Sequence, residues 1–123
     1  MFEPCPCGGA SYAACCARLH LGQAEAETAE RLMRSRYSAF ARGEAAYLLR
    51  TWAPETRPSS VGLDPRRVWT GLTVHAATET GPDAATVAFT ARYAVDGKKG
   101  ALSETSRFRR EHGRWLYVDG EIA

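Results

Sequence analysis

The fold of this 123-residue chain is decided by the stretch Ala29-Glu30-Arg31-Leu32-Met33-Arg34-Ser35-Arg36-Tyr37-Ser38-Ala39-Phe40. Its apolar residues recur at helical spacing and share one face: Ala29, Leu32, Met33, Tyr37 and Phe40. Thr28 can cap the start of the helix, and Gly43 follows its last turn, where helices often end in glycine. The sequence therefore predicts an amphipathic helix that must lie on an apolar surface.

A second helix begins at about Glu44 and stops before Pro54. Its apolar residues again have helical spacing: Ala45, Leu48, Leu49 and Trp52. Both helices are amphipathic, so both are expected to cover an apolar layer supplied by the rest of the chain.

Beyond Pro58 the pattern changes to the alternation that is typical of strands. The two clearest apolar faces are Leu72, Val74 and Ala76, and then Val87, Phe89, Ala91, Tyr93 and Val95. Three turn signals separate four strands: Gly81-Pro82-Asp83, Asp96-Gly97 and His112-Gly113. Helices first and a meander afterwards predict an α+β fold, in which a curved antiparallel β-sheet wraps around the N-terminal helices.

All four cysteines lie near the start of the chain, as the pairs Cys5/Cys7 and Cys15/Cys16. Two close pairs at the ends of a short Gly-rich loop can surround one tetrahedral ion, because Zn–S bonds are only about 2.3 Å long. Disulfides fit poorly, since adjacent cysteines pair with difficulty and a bridge in so short a segment restrains little chain entropy. We expect a structural Zn²⁺ site, and the alternative is four free or redox-active thiols.

The segment that holds these cysteines forms a unit of its own in this interpretation, a zinc knuckle over residues 1–21. Ser11 is a candidate N-cap for a short helix that carries Cys15 and Cys16. His20 is a substitute ligand if one cysteine does not bind. Residues 22–123 then form the main domain.

Composition limits the classes of function. The formal net charge is +2, which provides no strong electrostatic argument for nucleic acid binding. The start of the chain has neither a basic segment nor an apolar run, and no stretch is long and apolar enough for a membrane helix. We therefore expect a cytoplasmic protein, where clustered cysteines indicate metal or redox chemistry.

Polar residues occupy the apolar face of the last two strands. Glu104 and Ser106 alternate with the same period as Leu102 and Phe108, so they are expected to point inward. On the last strand Trp115 and Tyr117 share a face with Asp119 by the same count.

Arg36 lies beside the apolar stripe of the first long helix and offers a cation for these carboxylates. The sequence predicts a polar cluster inside the sheet, made of Arg36, Tyr37, Tyr47, Glu104, Ser106, Trp115, Tyr117 and Asp119. Two interpretations remain open: an internal Arg36–Glu104 ion pair that joins helix to sheet, and a ligand pocket.

The cysteine segment Cys5-Pro6-Cys7-Gly8-Gly9-Ala10-Ser11-Tyr12-Ala13-Ala14-Cys15-Cys16 resembles the SEC-C zinc motif of the SecA translocase tail. The remainder is similar to the YchJ-like bacterial family, through residues 29–40, 47–52 and 106–120. This resemblance implies a cone-shaped fold like those of nuclear transport factor 2 and ketosteroid isomerase. It also implies zinc at Cys5, Cys7, Cys15 and Cys16, and a protein or ribosomal partner for the knuckle.

Three functional classes follow from these observations. The first is a binding or adaptor protein, whose knuckle docks to a partner and whose cone holds a small ligand. The second is a small-molecule enzyme, with Glu104 or Asp119 as general base and Tyr37, Tyr47 or Tyr117 as oxyanion donor. The third is a structural role in a homodimer, because cones of this kind often associate through the open sheet face.

Overall fold

The computed structural model describes residues 3–123, a range with three helices followed by four strands. The helices are α1 (Cys16–His20), α2 (Ala29–Arg42) and α3 (Ala45–Arg50). The strands are β1 (Arg67–Gly81), β2 (Ala84–Val95), β3 (Lys98–Glu111) and β4 (Arg114–Ile122). They form one curved sheet in the order β1-β2-β3-β4, each strand antiparallel to the next. The predicted α+β meander is confirmed.

The ends of α2 follow the predicted capping signals. The Thr28 hydroxyl accepts the backbone N–H of Arg31 at 3.0 Å, which satisfies one of the free donors of the first turn. Gly43 closes the helix at φ 77°, a left-handed conformation that glycine adopts without a side-chain clash. The expectation for Ser11 was wrong, because α1 begins only at Cys16 and has no side-chain cap. None of the described helices has the length and apolarity to cross a membrane.

The core lies between α2, α3 and the inner face of the sheet. Leu32 of α2, Leu48 of α3 and Val87 of β2 are almost wholly excluded from solvent. Phe108 and Trp115 complete this layer from the last two strands. The apolar stripe of α2 therefore faces the sheet, as the sequence predicted.

A second face of α2, which the sequence analysis did not identify, packs on the N-terminal segment. Ser35 and Ser38 are fully buried there. The Cys5 sulfur lies 3.4 Å from the Ser38 hydroxyl, and the His20 Nε2 atom lies 2.9 Å from the Ser35 carbonyl oxygen. Leu19 also joins the core cluster of the main domain. The knuckle and the cone thus share buried contacts through one helix.

The segment after α3 covers the free edge of β4. The Ala53 N–H donates to the Tyr117 carbonyl at 2.8 Å, and the Tyr117 N–H donates to the Thr51 carbonyl at 2.8 Å. This short parallel bridge occupies backbone groups that an exposed edge strand would leave free. It also fixes Trp52 against Tyr117, at a ring-centroid distance of 5.1 Å.

Two of the four register shifts between the described strands move side chains away from the inner face predicted for them. A register shift between Val74 and Ala76 places Ala76 opposite Ala88, so Ala76 leaves the inner face that it was predicted to share. A second shift, between Arg107 and Phe108, places Asp119 opposite Arg107. The prediction of an inward Asp119 was therefore wrong: an extra residue in β4 reverses the alternation after Tyr117.

Replacing His20 by glutamine tests the contact between knuckle and α2. Burial lowers the pKa of His20 below its ordinary value. As the pH falls below about 6.5, the unfolded chain takes up the proton first, so the stabilisation by neutral His20 is present above that pH and lost below it. We expect His20→Gln to lower the unfolding free energy by about 1–3 kcal/mol above pH 6.5. The difference from wild type should shrink towards acid pH, measured by urea unfolding.

The exposed histidine of β1 provides the control. His75→Gln should leave the unfolding free energy close to that of the wild type, because this side chain lies at the surface. A His20→Gln variant as stable as wild type above pH 6.5 would contradict the structural role of the contact.

Candidate metal centre and cone cavity

The sulfur atoms of Cys5, Cys7, Cys15 and Cys16 converge on one point and all lie within 4.8 Å of one another. The Cys7–Cys15 distance is 3.6 Å and the Cys15–Cys16 distance is 4.0 Å. Four sulfurs bound tetrahedrally at about 2.3 Å from zinc would be about 3.8 Å apart. The donor set and its spacing therefore fit a tetrahedral thiolate site, and no cysteine is in a disulfide.

The loop between the cysteine pairs is shaped around these sulfurs. The Cys5 N–H donates to the Gly9 carbonyl at 2.9 Å, and the Gly8 N–H donates to the Cys5 carbonyl at 3.0 Å. Gly8 has φ 107°, which favours glycine. A Cβ atom on Gly9 would lie 2.8 Å from the Cys15 sulfur, so a side chain there would displace a ligand atom.

The thiols of Cys7, Cys15 and Cys16 differ in acidity because their sulfurs lie so close together. The neighbouring sulfurs, Cys16 first, hold the pKa of Cys7 at about 4 by hydrogen bonding to its thiolate. Burial raises the pKa of Cys15, and the hydrogen bond with Cys7 raises that of Cys16. One thiolate forms readily and opposes the formation of the others. A bound divalent cation would remove this opposition, as in structural metal sites.

Helix α2 supplies a second layer around the sulfurs. The Arg31 guanidinium donates from Nη1 to the Cys16 sulfur at 3.3 Å and from Nη2 to the Cys15 sulfur at 3.4 Å. Arg34 Nη1 donates to the Cys7 carbonyl oxygen at 3.1 Å. These cationic groups offset the negative charge that four thiolates and one divalent ion would carry. The sequence pattern alone did not indicate these contacts, although Arg31, Ser35 and Ser38 recur at helical spacing.

The histidine proposed as a substitute ligand lies outside the cluster. The His20 Nδ1 atom is 2.6 Å from the Tyr12 hydroxyl, and Nε2 is engaged by Ser35. Both ring nitrogens are therefore occupied, and His20 serves the contact between knuckle and α2.

A second candidate site is a cavity of about 210 Å³ between α2 and the sheet. Five of the eight predicted pocket residues line it: Arg36, Tyr37, Glu104, Ser106 and Tyr117. The other walls are mainly apolar and include Met33, Phe40, Trp52, Trp69, Phe89, Ala91, Leu102 and Phe108, with Arg67 as a further charged lining residue. Sequence alternation therefore identified much of the polar lining, and the structure adds the aromatic walls.

Three predicted pocket residues lie elsewhere. The Tyr47 hydroxyl is 2.8 Å from the Ser35 hydroxyl, behind α2. Trp115 is buried under Arg110, with an indole nitrogen that has no partner within residues 3–123. Asp119 accepts a hydrogen bond from Arg107 Nε at 2.5 Å on the outer face of the sheet.

The predicted Arg36–Glu104 ion pair does not form within 4.0 Å in the described part of the chain. Arg36 Nη1 donates instead to the Leu48 carbonyl at 2.8 Å and to the Thr51 hydroxyl at 2.7 Å. Glu104 accepts a hydrogen bond from Ser106. Local acceptors at the end of α3 thus hold the guanidinium, and the strand neighbour holds the carboxylate.

Aromatic rings surround the buried guanidinium. Its central carbon lies 4.9 Å from the Trp52 ring centroid and 4.6 Å from that of Tyr117. Burial lowers the pKa of Arg36 to about 10, so the group stays charged at neutral pH. Burial and the nearby Glu104 carboxylate raise the pKa of Tyr117 to about 12, which keeps its hydroxyl protonated.

Comparison with known proteins finds relatives over almost the whole chain. A UPF0225 protein of Streptomyces avermitilis is 55% identical, over 96% of this chain and 84% of the relative. A UPF0225 protein of Xanthomonas oryzae is 52% identical, over 95% of this chain and 93% of the relative.

Two solved structures share the fold. The solution structure of a SEC-C motif containing protein from Rhodopseudomonas palustris has a TM-score of 0.86 and 32% identity, and covers 98% of this chain and 99% of that one. A crystal structure of a SEC-C motif containing protein from Psychrobacter arcticus has a TM-score of 0.83 and 26% identity, over 98% and 83% of the two chains.

The family described as "YchJ, middle NTF2-like domain" matches residues 28–120, a range that contains α2, α3 and all of the sheet except the last two residues of β4. A cysteine cluster suited to a metal precedes that domain, and the two structural neighbours are SEC-C motif proteins. This chain therefore belongs to the YchJ-like family of UPF0225 proteins.

Proposed function

We propose that this protein is a zinc-stabilised binding module of the cytoplasm. Its knuckle docks to a protein or ribosomal partner, and its cone holds a small ligand. The observation that supports this best is the convergence of four cysteine sulfurs on one point. Four protein ligands leave no open position for water or substrate, so a metal here has a structural role.

The outward side of the knuckle is suited to a macromolecular contact. Four of the exposed residues of the knuckle, Ala13, Ala14, Arg18 and Leu21, define what we call the knuckle surface. Leu21 is 71% exposed, which is unusual for a large apolar side chain. The SEC-C resemblance supports a protein or ribosomal partner for this surface.

An enzyme that uses the cone remains the second candidate. Glu104 and Tyr117 both line the cavity, and the protonated Tyr117 hydroxyl could donate to a developing oxyanion. Asp119 and Tyr47 take no part in this proposal, because both lie away from the cavity. A homodimer also stays a prediction, and light scattering on the purified chain would measure the oligomeric state.

Zinc content tests the metal centre. Protein purified under reducing conditions should contain about one zinc per chain, and Cys7→Ser should lower that content. Gly9→Ala should weaken zinc binding without removing a ligand, because its Cβ would lie 2.8 Å from the Cys15 sulfur. The measurement is competition with a chromophoric chelator.

Gly62→Ala is the matched control, since a Cβ at that position meets no atom within 4 Å. Zinc removal should also lower the melting temperature of the whole chain, because the knuckle shares buried contacts with α2. A native protein that holds no metal and has its thiols in disulfides would contradict the zinc assignment.

Docking is tested by a single charge on the knuckle surface. Leu21→Glu should abolish co-sedimentation with purified ribosomes, or recovery of a protein partner by tagged pull-down, while zinc content stays unchanged. Val68→Glu is the control, because Val68 is 60% exposed on β1, outside the knuckle surface. Equal loss in both variants, or retention in both, would argue against docking through the knuckle.

A further inference from the structure

Arg36 has an unused hydrogen-bonding edge. Both of its hydrogen bonds come from Nη1, and Nε and Nη2 have no acceptor among residues 3–123. The residue as a whole is only 5% exposed. Among residues 3–123, Trp115 Nε1 is the fully buried side-chain atom that lacks a hydrogen-bond partner. The Nε and Nη2 atoms of Arg36 also lack a partner but are not fully buried, so they remain accessible from the cavity that Arg36 lines.

The free edge has the geometry of a carboxylate receptor. The Nε–H and one Nη2–H of a guanidinium point in parallel and can donate to both oxygens of one carboxylate. A buried cation without a paired anion is costly, and such a ligand would supply the missing charge. The stacking of Trp52 and Tyr117 on the guanidinium limits its movement, so the edge keeps its direction before a ligand arrives.

The rest of the cavity is suited to a small apolar body. Its volume of about 210 Å³ is somewhat larger than the roughly 150 Å³ of a cavity that holds benzene, and smaller than the usual pocket for a drug-sized molecule. Aromatic edges from Phe89, Trp69 and Phe108 line it. One ring with a short acidic substituent fits these limits, whereas a fused polycyclic ligand exceeds them.

The charges around the cavity favour an anion over a cation. Arg36 and Arg67 contribute two positive charges, and Glu104 contributes one negative charge. The Glu104 charge favours the charged form of Arg36 through space, but its carboxylate is hydrogen-bonded to Ser106, and no carboxylate among residues 3–123 lies within ion-pair distance of the Arg36 edge. Removal of the Glu104 charge should therefore strengthen the binding of an anion at Arg36.

We propose that the cone cavity binds a small monocarboxylate with a single apolar ring, its carboxylate on the Nε and Nη2 edge of Arg36. This rests on the ligand-binding role proposed for the cone and gives that ligand a chemical class. The ring lies among the aromatic walls, and Glu104 discriminates against ligands with a second negative charge nearby.

The experiment compares ligands of one shape and different charge on the zinc-loaded full chain. Phenylacetate, benzoate, benzyl alcohol and benzylamine are titrated by ligand-observed NMR and calorimetry. We expect the two carboxylates to bind at least about tenfold more tightly than benzyl alcohol, because a bidentate charged hydrogen bond is worth at least that factor. Carboxylates that bind no better than benzyl alcohol would overturn the proposal.

Two variants and one control variant separate the charge effect from a loss of fold. Arg36→Met should remove the preference for carboxylates and leave benzyl alcohol binding nearly unchanged, while Arg114→Met, beside the turn between β3 and β4, should match wild type. Glu104→Gln should bind phenylacetate several-fold more tightly, an outcome that partial unfolding cannot produce. An unchanged preference for carboxylates in Arg36→Met, or weaker phenylacetate binding in Glu104→Gln, would overturn the assignment. If Arg36→Met does not fold, the comparison of the four ligands and the Glu104→Gln variant still test the proposal.

The outcomes also distinguish this proposal from the broader one. If benzyl alcohol binds in the cavity and carboxylates do not, the cone binds small ligands but the anionic class is wrong. If none of the four compounds binds, both the class and the ligand-binding role of the cone fail. The zinc and docking measurements are independent of either result.

Discussion

Everything in this structure depends on the burial of α2 on two sides. One side presents Leu32 and Met33 to the sheet, and the other presents Ser35 and Ser38 to the knuckle. Small side chains on the second side allow close approach, so that the Cys5 sulfur and the His20 ring can contact the helix directly. Because the sheet and the knuckle pack on the same helix, a substitution that disturbs one of these contacts is expected to destabilise the other.

The metal centre is the clearest consequence of this arrangement. A knuckle of about twenty residues has too little apolar surface to fold alone, and such small units depend on a metal or on a neighbour. Here the described contacts provide the neighbour: Arg31 donates to two of the sulfurs, and Arg34 holds the carbonyl of Cys7. The cysteine cluster is therefore stabilised by contacts from the main domain, in addition to any stabilisation that a bound ion would provide.

The cavity lies on the face of the same helix that is turned towards the sheet, where Met33, Arg36, Tyr37 and Phe40 line it. Arg36 would be expected to find a carboxylate in a buried site, yet the end of α3 satisfies only one of its terminal nitrogens. Two aromatic rings stack on the guanidinium and compensate part of its lost hydration. A buried charged group with unsatisfied hydrogen-bond donors is more common at binding sites than in a core closed to solvent and ligands.

The amino-acid sequence by itself determined the four clustered cysteines as the candidate metal ligands, the helical face of α2, the order of the four strands and the inward position of Glu104. These features depend on the spacing and alternation of residues within one segment, so they can be predicted from that segment alone. The tertiary structure alone decided that Asp119 turns outward, that no carboxylate among residues 3–123 pairs with Arg36 and that Arg31 contacts the sulfurs. The bulge in β4 sets the position of Asp119, the end of α3 binds Arg36, and the packing of the knuckle on α2 brings the sulfurs to Arg31. Each of these contacts depends on residues that are distant in the sequence.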